Sequence, residues 1–323
     1  MLDDIFIETG FGSKSELDPT IDLPSLIQRL ERPKGKIDAV LDTDAFNEID
    51  DQFAIAYMLK SPEKINVKAI YAAPFKNEKS ESPQEGMEKS YNEVKKLLKL
   101  MDREDLYPIV YKGSESYLSS ENVPVVSPAA EHLAELAMSY TPQVPLYVVA
   151  IGAITNVSSA LLINPEIRDR IVVVWLGGNA HDWPWNVEFN LTQDIAAARV
   201  LFGCGAAVVQ LPCAGVVSSF TVSGPELETF FSGKNELCTY LSENTIKEAR
   251  AYAGDSAWTR VIWDVTAIAW LMDGDFLRDQ IIPAPIPEYS HRYSFTKNRH
   301  FIKYVYSIRR DTLLNDLIKK LTS

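Results

Sequence analysis

Short runs of apolar residues with almost no polar interruption recur along this chain, separated by longer stretches with helical periodicity. The runs fall at residues 39–42, 67–71, 108–111, 146–150, 171–176 and 207–211, and the helical patterns at 50–60, 89–101, 129–139, 156–162, 194–202, 237–253 and 259–271. A strand that is apolar on every residue must be covered on both faces, as in a parallel sheet sandwiched between helices. The alternation therefore predicts an α/β fold: an open, mostly parallel sheet flanked by helices, with a Rossmann-like core. No repeat or low-complexity linker breaks the pattern, so residues 1–323 read as a single domain. Residues 1–36, polar and punctuated by Pro and Gly, read as an N-terminal extension packing on the outside. The charged stretch 76–86 reads as an exposed, mobile loop, and 312–323 as a closing amphipathic helix.

Bulk composition excludes several partners. The net charge of −12 disfavours nucleic acid and anionic membrane surfaces. Cys204, Cys213 and Cys238 lack CxxC spacing, so neither a disulfide framework nor a zinc site follows from them. Residues 1–5 show no basic or apolar leader, and the longest apolar stretches, 145–163 and 202–222, are interrupted by polar residues. A reducing cytoplasm is the expected location.

Between the first apolar run and the helix after it stand Asp42-Thr43-Asp44-Ala45-Phe46-Asn47-Glu48-Ile49-Asp50-Asp51, with five acids and no base. Carboxylates crowded at a strand-to-helix junction repel one another unless a cation, a proton or a ligand relieves them. Junctions at the carboxyl ends of parallel strands are also where open α/β sheets bind ligands. Asp50 and Asp51 alone would suit the positive end of a helix dipole, which leaves Asp42, Asp44 and Glu48 without a reason. Hard cations want several oxygen ligands, so the stretch reads as a divalent metal site.

Three more segments lie where strands end. Ala150-Ile151-Gly152-Ala153-Ile154-Thr155-Asn156 reads as a strand, a glycine turn and a helix start, where Thr155 or Asn156 also suits a plain N-cap. Asn186-Val187-Glu188-Phe189-Asn190 puts a carboxylate and two amides on one side of an extended segment, equipment for gripping sugar hydroxyls. In Trp263-Asp264-Val265-Thr266-Ala267 the aspartate either interrupts an apolar helix or caps it.

In this order the set resembles the nucleoside hydrolase family, the inosine/uridine-type ribohydrolases, from about Ile37 to the C-terminus. The resemblance implies calcium-dependent hydrolysis of the N-glycosidic bond of ribonucleosides to free base and ribose. It implies Asp44 as the catalytic carboxylate, ligating Ca²⁺ and taking a proton from the attacking water. Asp51, Asp264 and the backbone carbonyl of Thr155 would complete the protein's calcium ligands. Asp50, Glu188, Asn190 and Asp264 would hold the ribose, with Asp42 supporting from behind. A role in purine and pyrimidine salvage and assembly into dimers or tetramers are further implications. The chemistry agrees: the transition state is oxocarbenium-like, which carboxylates stabilise, and direct water attack would invert the anomeric carbon.

The chain departs from the family motif Asp-x-Asp-Pro-Gly-x-Asp-Asp. Ala45-Phe46 replaces Pro-Gly, and the spacer from Asp44 to Asp50 is two residues longer, so Asn47 or Glu48 can enter the site. Where many members have a histidine before the late aspartate, Trp263 stands here, able to stack or pack but not to donate an acid proton. Of the four histidines, His181, in the loop with Trp183 and Trp185, is the substitute acid, although a solvated loop histidine looks the same. Tyr252, Trp258 and Trp263 suit a base pocket or the core equally, and Asn186 is a further candidate for the sugar. Two other classes compete. One is a nucleoside- or ribose-binding protein without turnover. The other is a haloacid-dehalogenase-type phosphatase, suggested by Asp42-Thr43-Asp44 and Gly274-Asp275-Phe276-Leu277-Arg278-Asp279, which leaves Asp50, Asp51 and Glu188 idle.

Overall fold

Eight strands form the central sheet of the computed structural model, which describes residues 21–323. The strands of the described residues are β1 (Ile37–Thr43), β2 (Ile65–Ala72), β3 (Val110–Lys112), β4 (Leu146–Ala150), β5 (Ile171–Leu176), β6 (Ala207–Leu211), β7 (Thr221–Ser223), β8 (Thr259–Val261), β9 (Leu277–Pro283), β10 (Ile286–Glu288), β11 (Arg292–Ser294) and β12 (Phe301–Ile308). The helices are α1 (Leu23–Arg29), α2 (Asp50–Leu59), α3 (Pro83–Leu100), α4 (Pro128–Leu136), α5 (Thr155–Ile163), α6 (Phe189–Gln193), α7 (Ile195–Gly203), α8 (Gly224–Phe230), α9 (Glu236–Ala253), α10 (Val265–Leu271) and α11 (Arg310–Leu321). The sheet runs β3-β2-β1-β4-β5-β6-β12-β9, parallel throughout except for β9 against β12. Two antiparallel ribbons, β7–β8 and β10–β11, stand apart from it.

The apolar strand runs follow from burial on both sides. Val40, Val148, Val173 and Val208 face a core with α4, α5 and α7, while Leu41, Val149, Val174 and Val209 face another with α2, α10 and α11. Alternate residues thus enter opposite cores, and neither face is left for polar side chains. Every residue of α2 is buried, which is why its sequence lacks an amphipathic rhythm. Among the described residues no helix is long and apolar enough to cross a membrane.

Several elements differ from the expectations. The stretch 76–86 is not a free loop: α3 already begins at Pro83, with Ser82 accepting from the Glu85 N–H at 3.1 Å. The rest of it is tied down, because Lys79 Nζ donates to the Asn47 carbonyl at 2.7 Å and buried Ser80 donates to the Phe75 carbonyl at 2.9 Å. The predicted helix 259–271 is two elements, strand β8 and then α10, because Thr259, Arg260 and Val261 pair with β7. β3 starts two residues later than predicted, since Pro108 lies in a short 3₁₀ turn. β7 to β12 carry too few contiguous apolar residues to announce themselves.

Of the N-terminal extension, residues 1–20 lie outside the described residues. The remainder reaches inward: Leu26 and Leu30 are fully buried in the larger core, and Arg29 bonds the Arg168 carbonyl at 2.9 Å and Asp169 at 3.2 Å. Leu26→Ala should therefore cost about 2–5 kcal/mol. Urea unfolding monitored by circular dichroism checks this; an unchanged midpoint would mean that α1 is only draped over the surface.

Candidate active site

The order of the sheet reverses at β1, whose neighbours β2 and β4 lead in opposite directions, and such a switch point leaves a crevice at the carboxyl ends of the strands. A cleft of about 220 Å³ lies there, lined by residues following β1, β4, β5 and β6 and by the start of α10. The long spacer after β1 forms a turn anchored on every side. The Asn47 N–H donates to the Asp44 carbonyl at 2.7 Å, Asn47 Oδ1 accepts from Asn77 at 2.6 Å, and Glu48 pairs with Arg260 at 2.6 Å. The two extra residues are thus absorbed without moving Asp50 and Asp51 off the cleft, and Asn47 and Glu48 join its lining.

Asp44, Asp50, Asp51 and Asp264 all line the cleft and are nearly inaccessible to water. Carboxylate oxygens of Asp50, Asp51 and Asp264 lie within 4.8 Å of one another. Asp51 accepts a hydrogen bond from the Thr43 hydroxyl and shares another with Asp264, a contact that two bare carboxylates cannot make. Burial, reinforced by mutual repulsion, drives all four carboxyls well above the ordinary aspartate range. Asp44 Oδ2 is buried with no hydrogen-bond partner. Gly152 makes this packing possible: a Cβ there would stand 2.9 Å from Asp44 Oδ1 and 3.1 Å from the Ala73 Cβ.

Asp42 lies beneath this layer rather than in the lining. Asn156 donates to it at 2.7 Å, and the Asn156 oxygen accepts from the Ser114 N–H at 2.7 Å and hydroxyl at 2.8 Å. Burial pushes Asp42 up to about 7. Asn156 is therefore the aspartate's partner, and neither it nor Thr155 is the N-cap of α5, a position held by Ile154. Thr155 begins α5 outside the cleft lining, with its hydroxyl donating to Asp194 at 2.8 Å.

The opposite wall is built on backbone donors. Glu188 caps α6, accepting from the N–H groups of Asn190 and Leu191, both at 2.9 Å, and from Gly178 at 2.7 Å. Burial still raises its carboxyl above the usual glutamate value. The Asn190 NH₂ donates to the carbonyls of Ile151 at 3.1 Å and Leu176 at 3.0 Å, so the atom it can offer a ligand is an acceptor oxygen. Asn186 is not in the lining. Its Oδ1 instead accepts from the Asn179 N–H at 2.7 Å, and Asn179 lines the cleft. Asn179, in the Gly-Gly-Asn turn after β5, is a lining residue that is not among those predicted for the site.

His181 is the clearest correction. Its ring faces away from the cleft, bonded to Gln210 at 2.9 Å and wedged among Tyr293, Phe295 and Tyr304. Burial lowers its pKa to about 4, so it stays neutral and has no acid proton to give. Trp263 does line the cleft, half-buried. Tyr252 and Trp258 do not; the first bonds the Thr259 carbonyl and the second packs on Gly224. The phosphatase-like segment is a turn leading into edge strand β9, with Asp275 paired to Arg278 and Arg309, and Asp279 bonded to Arg32 and Trp270.

The donor set fits a hard divalent cation. It offers oxygens without histidine, three carboxylates are already drawn together, and the orphaned Asp44 oxygen and the Asp51–Asp264 contact both require a positive charge or a proton.

The fold and site define a class: a doubly wound α/β protein that gathers aspartates at its switch point opposite a sugar-sized wall of acceptors. The chain belongs to the inosine-uridine preferring nucleoside hydrolase family, whose family model matches residues 39–299, and it is thereby an N-glycosyl hydrolase acting on ribonucleosides. It is 26% identical over 261 residues to the pyrimidine-specific ribonucleoside hydrolase RihA of Salmonella arizonae, covering 73% of this chain and 79% of that one. Among solved structures it resembles a plant nucleoside hydrolase, PpNRh1, with a TM-score of 0.71 and 19% identity over 89% of this chain and 99% of the other. A purine-preferring ribonucleoside hydrolase from Gardnerella vaginalis has a TM-score of 0.65 and 19% identity over 88% and 98%. These two likenesses are of fold.

Two outcomes follow from the geometry. Gly152→Ala should push the Asp44 carboxylate aside and lower kcat by about 10–100-fold, because small misplacements at a reacting centre are costly. Steady-state assay checks this, and a wild-type kcat would refute the close packing. Calcium should raise Tm more at about pH 8 than at about pH 5, because groups with raised pKa hold protons that compete with a cation at low pH. A raised carboxyl such as Asp42, near 7, stabilises the metal-free fold at low pH and loses that contribution as pH climbs through 7. Buried neutral histidines act in the opposite sense, but they cancel in the difference between calcium and chelator. A calcium-induced Tm gain that shrinks with pH would contradict the cluster's assignment.

Proposed function

We propose that this chain is a calcium-dependent ribonucleoside hydrolase that uses Asp44 to activate water. The observation carrying the proposal is the convergence of Asp44, Asp50, Asp51 and Asp264 on one side of a small cleft whose other side presents Glu188 and Asn190. The relatives' names differ in the base and agree on the nucleoside, which favours the ribose as the part gripped. Asp51 and Asp264, whose carboxylates are already drawn together, would hold the calcium ion with Asp44, whose unpartnered oxygen shares the cleft; the Thr155 carbonyl, outside the lining, would have to reach it from behind. When bound, that cation would lower the pKa of a neighbouring water and grip a ribose diol.

The chain's own groups do the rest. Asp44, with one oxygen free of protein partners, accepts the proton of the attacking water at that oxygen. Asp50, Glu188 and Asn190 accept from ribose hydroxyls, and Asp264 approaches the same sugar. The surrounding carboxylates stabilise positive charge developing at the anomeric carbon. Water attacks directly, so the configuration inverts and no covalent sugar–enzyme species forms. Asp42 and Asn156 hold the strand end beneath Asp44. The free, buried cysteines suit base salvage in a reducing cytoplasm.

The test is incubation with inosine, uridine, adenosine and cytidine, with calcium or chelator, followed by an assay for free ribose. Calcium-dependent release is expected; no release from any of them would defeat the proposal. Asp44→Ala should lower kcat by about 10²–10⁴-fold while ribose still binds. An Asp44→Ala protein with wild-type turnover would remove the aspartate from the mechanism.

A further inference from the structure

We infer that the substrates this cleft turns over best are nucleosides whose glycosidic nitrogen is already cationic, such as N-ribosylpyridinium compounds. The inference rests on the glycosidase reading above and names its substrate class. A neutral base leaves as an anion unless it is protonated as the bond breaks, and a positioned acid contributes about 10²–10⁴-fold to such a step. Among the described residues, no histidine, lysine or tyrosine lines the cleft.

The acids that line it are already engaged as acceptors or assigned elsewhere. Glu188 takes three backbone N–H groups, and Glu48 takes the Arg260 guanidinium at 2.6 Å. Asp44 is the base for water, Asp50 is assigned to the ribose hydroxyls, and Asp51 and Asp264 belong to the cation cluster. The thiol of Cys213 is tied to Glu188. His181, the one histidine of the neighbouring loop, faces Gln210. Trp263, beside Asp264 in the lining, has an indole without an acidic proton.

A cationic leaving group needs none. The C1′–N bond breaks with its electron pair passing to the ring nitrogen, which becomes neutral. The water oxygen bonds to C1′, and its proton goes to Asp44. No second proton transfer is required, and the atoms and charges balance. The lining also attracts such a group. Six carboxylates surround the cleft, more than one divalent cation and Arg260 offset. Trp263 and Phe189 add half-buried aromatic faces suited to a flat cation.

The calcium-loaded full chain tests this with nicotinamide riboside, uridine, inosine and, as a neutral substrate with an activated leaving group, p-nitrophenyl β-D-ribofuranoside. Nicotinamide riboside should exceed uridine and inosine in kcat/KM by about 10²-fold or more, with the nitrophenyl riboside also cleaved. Uridine or inosine equalling nicotinamide riboside, while the nitrophenyl riboside is cleaved, would overturn the inference and leave the glycosidase reading intact. Cleavage of none of the four would overturn both. Binding to D44A, read by calorimetry, should favour nicotinamide riboside over uridine by about tenfold, an advantage that shrinks with added salt. Equal affinities would count against the cationic preference.

Discussion

Repulsion among carboxylates that water cannot reach governs the architecture around this cleft. An isolated ionised carboxylate is very costly to bury, so such groups are paired, protonated or bound to a cation. Asp44, Asp50, Asp51 and Asp264 sit too close together and too deep to remain four free anions. Much of the local structure serves to hold them there. Gly152 leaves room for Asp44, Thr43 donates to Asp51, and the turn at Asn47 and Glu48 is anchored by Asn77, Lys79 and Arg260. The helix entries add their part, since α2 presents its positive end to Asp50 and Asp51.

The facing wall solves a different problem with the same economy of parts. Glu188 is pinned by three backbone N–H groups from Gly178, Asn190 and Leu191, so its position is set by the chain path and not by a flexible partner. Gly178 adopts φ 73° there, and a Cβ at that residue would stand 1.9 Å from the Tyr293 hydroxyl, so the turn requires glycine. A rigid acceptor wall opposite an electrostatically strained one is suited to a sugar, which offers several hydroxyl donors at fixed spacing.

Much of this was legible in the sequence, for physical reasons. Parallel strands covered on both faces write themselves as unbroken apolar runs, so β1, β4, β5 and β6 were readable to within a few residues. Acids at strand ends, out of keeping with their apolar surroundings, marked Asp44, Asp50, Asp51, Glu188 and Asp264, and all five line the cleft. What stayed hidden depended on contacts distant in sequence. Whether His181 faced the cleft turned on Gln210 and Tyr304, far along the chain. Asn179 was masked because its neighbour Asn186 shared the expected alternation while the backbone turned at Gly178. The stretch 76–82 looked mobile because its charges read as solvent-facing, yet Lys79 reaches across to Asn47 and Glu248.

As a cation site, the buried aspartates should be protonated when the cation is absent. Calorimetric titration of chelator-treated protein with calcium, repeated in two buffers of different ionisation heat, measures binding and proton release together. One calcium per chain is expected, with protons released on binding near neutral pH and binding lost in D264N. Binding without proton release, or no binding at all, would contradict it.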